Sequence, residues 1–147
     1  MMSASSHDEH RKLCLALAWF GYLALCSAYI LGGIDKILDF PGAVVETRHL
    51  GVPFPLLATI ATIIVELLGS ALILSGCWRW CGALLLAGFT VVANMLANAF
   101  WRLPDEAART LSANAFFEHW GLIGGFLLIA LRSSSGFSRP FLPWKIQ

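Results

Sequence analysis

Four long apolar stretches dominate the pattern of the chain. They cover residues 13–31, 54–74, 81–101 and 113–131, and polar residues concentrate between and beyond them. Because the hydrocarbon core of a bilayer is about 30 Å thick, a helix needs about 20 mostly apolar residues to cross it. The runs are continuous and do not alternate with a period of two, which argues against a transmembrane β-barrel. The pattern predicts an all-α, polytopic membrane protein, a bundle of four transmembrane helices.

The segments between the apolar stretches predict how the helices are connected. Apolar and charged residues alternate irregularly over residues 34–40, which indicates a short interfacial amphipathic helix that ends at Pro41-Gly42. A second short helix, residues 43–50, is compatible with the sequence that follows. The short turn at residues 75–80 makes the second and third spans antiparallel neighbours, and residues 102–112 form a polar loop. The prediction is one membrane domain, residues 13–131, between a polar N-terminal tail (1–12) and a C-terminal tail (132–147).

Composition strengthens the membrane assignment. The chain is 58% apolar and 13% charged, with a mean hydropathy of +0.72, whereas soluble domains are about 45–50% apolar and about 25% charged. The net charge of +1 leaves no basic footprint for nucleic acid, so the lipid bilayer is the predicted partner.

The distribution of lysine and arginine predicts the orientation. Six cations lie on the side that carries both termini and four lie on the other side, which favours cytoplasmic termini under the positive-inside rule. The first set is Arg11, Lys12, Arg79, Arg132, Arg139 and Lys145, and the second is Lys36, Arg48, Arg102 and Arg109.

Glu66 is the first candidate functional residue, because it lies close to the centre of the second span. A carboxylate at that depth costs at least about 2.5 kcal/mol, and such residues usually face the bundle interior. At 100° per residue, Thr59, Thr62, Gly69 and Ser70 share its face. Two interpretations stay open: a proton-handling carboxylate, or a hydrogen-bonded glutamate that stabilises helix packing.

Other polar residues lie at comparable positions in the third and fourth spans. Asn94 and Asn98 share one face of the third span, and Glu118 and His119 enter the fourth. Such a cluster is suited to relaying protons or holding a polar head group, and equally to an internal hydrogen-bond network.

The first span carries an aromatic stripe that includes Tyr22 and Tyr29. Packing is the simpler interpretation of such a stripe. If the protein binds a quinone, these two rings would flank its ring and Glu66 would take its proton.

No metal site is predicted. Cys77 and Cys81 form a C-x-x-x-C pair without the second pair that a zinc site needs. The sequence carries no evident cofactor motif, and a quinone is a cofactor that its polar residues would allow.

From about Leu23 to Leu131 the chain resembles the DoxX-like family of small four-helix proteins of bacterial inner membranes. Gly33-Ile-Asp-Lys36 is similar to the family's G-x-x-K at the end of helix one, and Leu50-Gly51-Val52-Pro53 to its G-x-P before helix two. Glu66-Leu-Leu-Gly69 and the glycine at 76 resemble its E-x-x-G-G…L-x-x-G, with Ser70 replacing one glycine. Arg79 stands where the family often has a basic residue, and residues 116–125 resemble its final helix, with Glu118-His119 replacing a frequent Lys-Asn.

The resemblance implies an inner-membrane protein associated with quinol-oxidase, quinone-linked sulfur oxidation or thiol-redox systems. Two functions follow as expectations. The first is an accessory or quinone-linked subunit of a membrane redox system, in which Glu66 handles protons, Lys36 is an interfacial anchor, and Asn94, Asn98 and His119 hold the head group. The second is a non-catalytic bundle that binds or stabilises a partner protein or lipid. A redox protein partner and a homo-oligomer are compatible with both.

Overall fold

The computed structural model describes residues 4–133, with side chains from Glu9 onward. This part of the chain forms five α-helices and one 3₁₀ turn. The helices are α1 (Ala4–Leu38), α2 (Phe40–His49), α3 (Pro55–Ser75), α4 (Arg79–Ala97) and α5 (Glu106–Ser133), and the 3₁₀ turn is Phe100–Arg102. Helices α1, α3, α4 and α5 are long and apolar enough to cross a membrane. The predicted all-α bundle of four spans, with a short helix between the first and second, is confirmed.

The bounds of that short helix differ from the prediction. Residues 34–38 continue α1, and the chain first leaves the helical conformation at Asp39, with φ −122° and ψ 67°. The Asp39 carboxylate accepts a hydrogen bond from the Gly42 N–H at 3.1 Å and so caps α2. Pro41 lies in the first turn of α2, where a backbone N–H has no acceptor within the helix, so the N–H that proline lacks is not needed. Pro41-Gly42 therefore begins a helix here and does not end one.

Two other segments are more helical than the sequence indicates. Helix α1 begins at Ala4, within the predicted N-terminal tail, and α5 begins at Glu106, within the predicted polar loop. Asp105 accepts a hydrogen bond from the Ala108 N–H at 2.8 Å, which satisfies one of the free donors in the first turn of α5. The predicted C-terminal tail lies outside the described residues from position 134 onward.

Glycines bring the backbones of α3 and α4 together. A Cβ on Gly82 would lie 2.7 Å from the carbonyl oxygen of Gly69, and a Cβ on Gly69 would lie 2.7 Å from Leu86 Cγ. The turn between the two helices uses Gly76 at φ 79°, the left-handed conformation that glycine adopts without a steric penalty. These contacts confirm that the two helices are antiparallel neighbours.

Helix α2 lies against the first turns of α3. The hydroxyl oxygens of Thr47 and Thr59 are 2.9 Å apart, and Thr59 is fully buried. On the outside of the bundle, large apolar side chains such as Leu57, Leu68 and Leu128 are exposed. Exposed apolar surface of this extent matches the hydrocarbon of a bilayer, so the helices contact lipid.

Candidate ligand-binding cavity

An ion pair joins α1 to the middle of α3. Lys36 Nζ lies 3.2 Å from both carboxylate oxygens of Glu66, and it also donates to the carbonyl oxygen of Gly32 at 3.1 Å. The lysine side chain therefore runs back along α1 toward the centre of the bundle. The Glu66 side chain is 8% exposed and that of Lys36 is 27% exposed. The two charges compensate each other, which is how a carboxylate is accommodated at this depth.

Two adjacent glycines make this pairing possible. A Cβ on Gly33 would lie 2.8 Å from Leu67 Cδ2, so glycine permits α1 to approach α3 closely. A Cβ on Gly32 would lie 3.3 Å from Lys36 Nζ and 3.6 Å from Glu66 Oε1. Gly32 thus leaves space for the ammonium group, and Gly33 sets the distance between the two helices.

The ion pair lies on the wall of a cavity of about 520 Å³. This volume falls within the range of about 300–1,000 Å³ that is usual for small-molecule sites. All five helices contribute to the lining, and much of it is apolar, including Val65, Phe89 and Leu122. The polar lining residues are Tyr29, Lys36, Glu46, Thr47, Thr62, Glu66, Thr90 and His119. An apolar chamber with a few polar groups is suited to an amphipathic ligand.

Tyr29 connects α1 to α4 beside this cavity. Its hydroxyl oxygen is 2.6 Å from Thr90 Oγ1, which in turn donates to the Leu86 carbonyl oxygen at 2.6 Å. Because the single hydroxyl hydrogen of Thr90 is used in that bond, Tyr29 is the donor to Thr90. The ring of Phe126 packs edge-on against Tyr29 with centroids 5.3 Å apart. The tyrosine is therefore held at both its ring and its hydroxyl group.

His119 lies in the cavity lining, and one edge of its ring contacts its own helix. Its Nδ1 lies 2.6 Å from the carbonyl oxygen of Ala115, one turn earlier in α5. A carbonyl oxygen only accepts hydrogen bonds, so Nδ1 carries the hydrogen in this contact. In the neutral ring, Nε2 is then an acceptor.

The two asparagines lie where α4 meets α5, outside the cavity lining. Asn94 Nδ2 donates to the Phe116 carbonyl oxygen at 3.0 Å, and Asn98 Nδ2 donates to Asn94 Oδ1 at 2.9 Å. Asn94 is 1% exposed. This arrangement corresponds to the internal network that the sequence left open as one of two interpretations.

The remaining two predicted residues also lie away from the cavity. Tyr22 lies beneath Arg79, whose guanidinium carbon is 4.6 Å from the ring centroid, and Glu118 is exposed. Of the predicted site residues, the structure brings together Tyr29, Lys36, Thr62, Glu66 and His119 at one cavity. It does not bring Tyr22, Asn94, Asn98 or Glu118 to it.

The ion pair between Lys36 and Glu66 was not predicted from the sequence, where the position of Lys36 at the end of a span indicated an interfacial anchor. The signal was available: an ionised group within a span requires a counter-charge, and the lysine ends a span that packs nearby. The predicted site residues also did not include Thr90, whose hydroxyl group meets Tyr29, or Gly32, which accommodates the ammonium.

Comparisons with known proteins cover most of this site. The sequence pattern of the DoxX family matches residues 19–99, a segment that includes both members of the ion pair but not His119. The inner membrane protein YphA of Escherichia coli (strain K12) is 27% identical over 116 residues, which are 79% of this chain and 82% of the relative. No solved structure matches the chain.

Proposed function

The chain belongs to the DoxX family and is a multi-pass protein of the inner membrane, and we propose that its cavity binds the head group of a quinone or quinol. In this proposal the protein is a subunit or accessory of a membrane redox system and exchanges electrons with a redox protein partner. The observation that carries the proposal is a cavity of about 520 Å³ with apolar walls and the Lys36–Glu66 ion pair among its lining residues.

The lining residues fit the chemistry of such a head group. A quinone ring is flat and apolar and carries oxygens at opposite edges, so it needs apolar walls and a few polar partners. Val65, Phe89 and Leu122 supply apolar walls. Lys36 and Glu66 present an ion pair to the cavity, and Thr62 and His119 add further polar groups to the lining. An isoprenoid tail is compatible with the apolar, lipid-facing surroundings of the bundle.

When bound, the quinone couple supplies two-electron, two-proton redox chemistry at a depth where water is scarce. Glu66 is the proton acceptor in this proposal, at either carboxylate oxygen, because both oxygens face Lys36 and the carboxylate lines the cavity. Lys36 Nζ lies 3.2 Å from both oxygens of that carboxylate and so orients it. Tyr29, fixed by Thr90 and Phe126, maintains the wall of the cavity.

We propose that both termini face the cytoplasm. The structure supports this orientation because the Lys36 ammonium group is engaged by Glu66 within the bundle. Among the described residues, Arg48, Arg102 and Arg109 then remain on the outer side as flanking cations, against Arg11, Lys12, Arg79 and Arg132 on the other. A cysteine accessibility assay in intact cells, with single cysteines placed at position 48 or position 132 of a cysteine-free protein, tests the orientation. Labelling of position 132 by an impermeant reagent would contradict it.

Co-purification of lipids and quinones tests the ligand assignment. The protein is extracted into nanodiscs formed from its native membrane, and quinones are quantified per protein by mass spectrometry, with nanodiscs of an unrelated four-span protein as background. We expect retention of quinone above background by the natural protein and loss of it in Glu66→Gln. Glu118→Gln is the matched control, because Glu118 is an exposed glutamate outside the cavity lining.

A second variant keeps this test decisive if Glu66→Gln fails to fold. Thr62→Val changes a cavity-lining hydroxyl to a methyl group at nearly constant volume, and we expect it to reduce quinone retention in folded protein. Quinone at background level in the natural protein contradicts the proposal, as does equal retention by all variants.

A non-catalytic bundle that stabilises a partner protein or lipid is the second candidate function. It is favoured by the ion pair itself, which satisfies both of its charges within the protein and joins α1 to α3. In the same preparation, this alternative predicts a stoichiometric protein partner or lipid together with background quinone.

A further inference from the structure

We propose that the cavity selects amphipathic ligands by charge: it admits neutral and cationic head groups and excludes anionic ones. The inference goes beyond the proposed function, because it concerns the charge of the head group and applies whether or not the ligand is a quinone. Its basis is the set of charged residues in the cavity lining, Lys36, Glu46 and Glu66, and the contacts that each of them makes.

The Lys36 ammonium group is already fully engaged within the protein. An ammonium group donates three hydrogen bonds, and Lys36 Nζ has three acceptors, the two carboxylate oxygens of Glu66 at 3.2 Å and the Gly32 carbonyl oxygen at 3.1 Å. Its positive charge is balanced by the Glu66 carboxylate. An anionic head group would therefore have to displace Glu66 from Lys36, and it would leave a carboxylate unpaired within the bundle.

Glu46 gives the cavity lining a net negative charge. Its side chain is exposed, and an exposed glutamate is ionised at neutral pH. Within residues 9–133, no hydrogen bond or ion pair joins the Glu46 carboxylate to another residue. Its cationic neighbours on α2, Arg48 and His49, lie outside the lining. With His119 neutral, one lysine and two glutamates leave the lining with a formal charge of −1.

This charge acts on amphiphiles of the membrane, because the cavity borders the lipid-facing surface. Val92 and Leu96 of α4 line the cavity and are also 59% and 39% exposed. Side chains of this kind contact the hydrocarbon of the bilayer, so a ligand enters with its tail against them. An anionic head group is then repelled by Glu46 and finds no free counter-charge, whereas a cationic one is attracted. A neutral head group, such as that of a quinone, meets neither effect.

Photolabelling with three matched amphiphiles tests the inference. The amphiphiles share one alkyl chain that ends in a diazirine, and their head groups are trimethylammonium, hydroxyl and sulfonate. The full-length protein is labelled in nanodiscs of zwitterionic lipid at about pH 8, above the range in which histidine ordinarily titrates. Mass spectrometry gives the ratio of labelling at Leu122, which lines the cavity, to labelling at Leu128, which is exposed to lipid. This ratio cancels differences in how much of each amphiphile enters the nanodisc.

We expect the ratio to be about fivefold higher for trimethylammonium than for sulfonate, with hydroxyl between them, because the charge interactions of an exposed carboxylate provide a factor of about this size. In Glu46→Gln the three ratios should converge, and in Glu46→Lys their order should reverse. Glu118→Gln is the matched control, because it removes the same charge from an exposed glutamate outside the cavity lining, and the order should persist in it.

The outcomes separate this inference from the proposed function. Equal ratios in the natural protein, or an order that survives in Glu46→Gln, overturn the charge selection and leave the quinone proposal standing. Labelling of Leu122 by none of the three amphiphiles also overturns the charge selection. Background quinone retention together with the expected order overturns the quinone proposal alone. If neither variant at position 46 folds, the comparison of the three head groups in the natural protein decides the question.

Discussion

Polar residues on two sides of the bundle are used in opposite ways. On the closed side, where α4 packs against α3 and α5, Asn94 and Asn98 are bonded to each other and to the Phe116 backbone. On the open side, Lys36, Glu66 and His119 line a cavity. A buried polar residue in a membrane helix becomes part of the packing when a neighbouring backbone reaches it, and part of a chamber when none does.

The difference arises from the distances between helices. On the closed side, Gly69 and Gly82 bring the backbones of α3 and α4 into contact, and the Asn94 amide reaches the α5 backbone. On the open side, α1 ends at Leu38 and meets α4 through the side chains of Tyr29 and Thr90. The space between these helices is the cavity, and the ion pair is a charged group that borders it.

The largest effect is expected from removing one charge on the open side. Lys36→Met removes the counter-charge that Glu66 has in the structure, and the removal of one partner from a buried ion pair costs about 3–5 kcal/mol of unfolding free energy. Reversible unfolding in mixed micelles with increasing SDS measures this loss. The double variant Lys36→Met/Glu66→Gln should recover much of it, because no charge is then left unpaired. A single variant that is as stable as the double would contradict this view of the ion pair.

A smaller but substantial loss is expected on the closed side from Gly82→Ala. The added methyl group would meet the Gly69 carbonyl oxygen at 2.7 Å and Leu72 Cβ at 2.8 Å, neither of which is the end of a flexible side chain. Overpacking of this kind costs about 1–3 kcal/mol. Gly88→Ala is the control, because no atom lies within 4 Å of its added Cβ. Equal stability of the two variants in the SDS assay would show that α3 and α4 separate without cost.

The sequence alone predicted the fold but only some of the residues that line the cavity. Apolar runs of about 20 residues specify spanning helices, and the local cost of a charge marks Glu66. Helical periodicity then places Glu66 and Asn94 on inward faces, but it does not say which neighbour each one meets. That information depends on how closely two helices approach, and so on Gly33 against Leu67 and Gly82 against Gly69.

In residues 34–50 the sequence pattern likewise did not determine the local structure. Pro41-Gly42 resembles the end of a helix when it is read along the chain. The Asp39 carboxylate bonds to the Gly42 N–H and makes the same residues the start of α2. A proline is compatible with either position, and the side-chain cap decides between them.

Asn94→Ala distinguishes packing from binding on the closed side. The change removes the bond to the Phe116 oxygen and the acceptor of Asn98, and polar contacts between membrane helices contribute about 0.6 kcal/mol each, with a maximum of about 1.7. We expect a loss of about 1–2 kcal/mol in the SDS assay with unchanged quinone retention. Reduced retention in a folded Asn94→Ala protein would extend the ligand site to the closed side.

The smallest expected effect comes from Tyr29→Phe, on the open side. The change removes one hydroxyl group that donates to Thr90, and Thr90 keeps its own bond to the Leu86 oxygen, so we expect a loss of about 0.6 kcal/mol. Tyr22→Phe is the matched control, because Tyr22 contacts Arg79 through its ring, which phenylalanine retains. Since the Tyr29 hydroxyl connects α1 to α4 beside the cavity, its removal should also alter ligand affinity, whereas Tyr22→Phe should change neither quantity. Identical binding and stability in the two variants would mean that the open side keeps its width without the Tyr29–Thr90 contact.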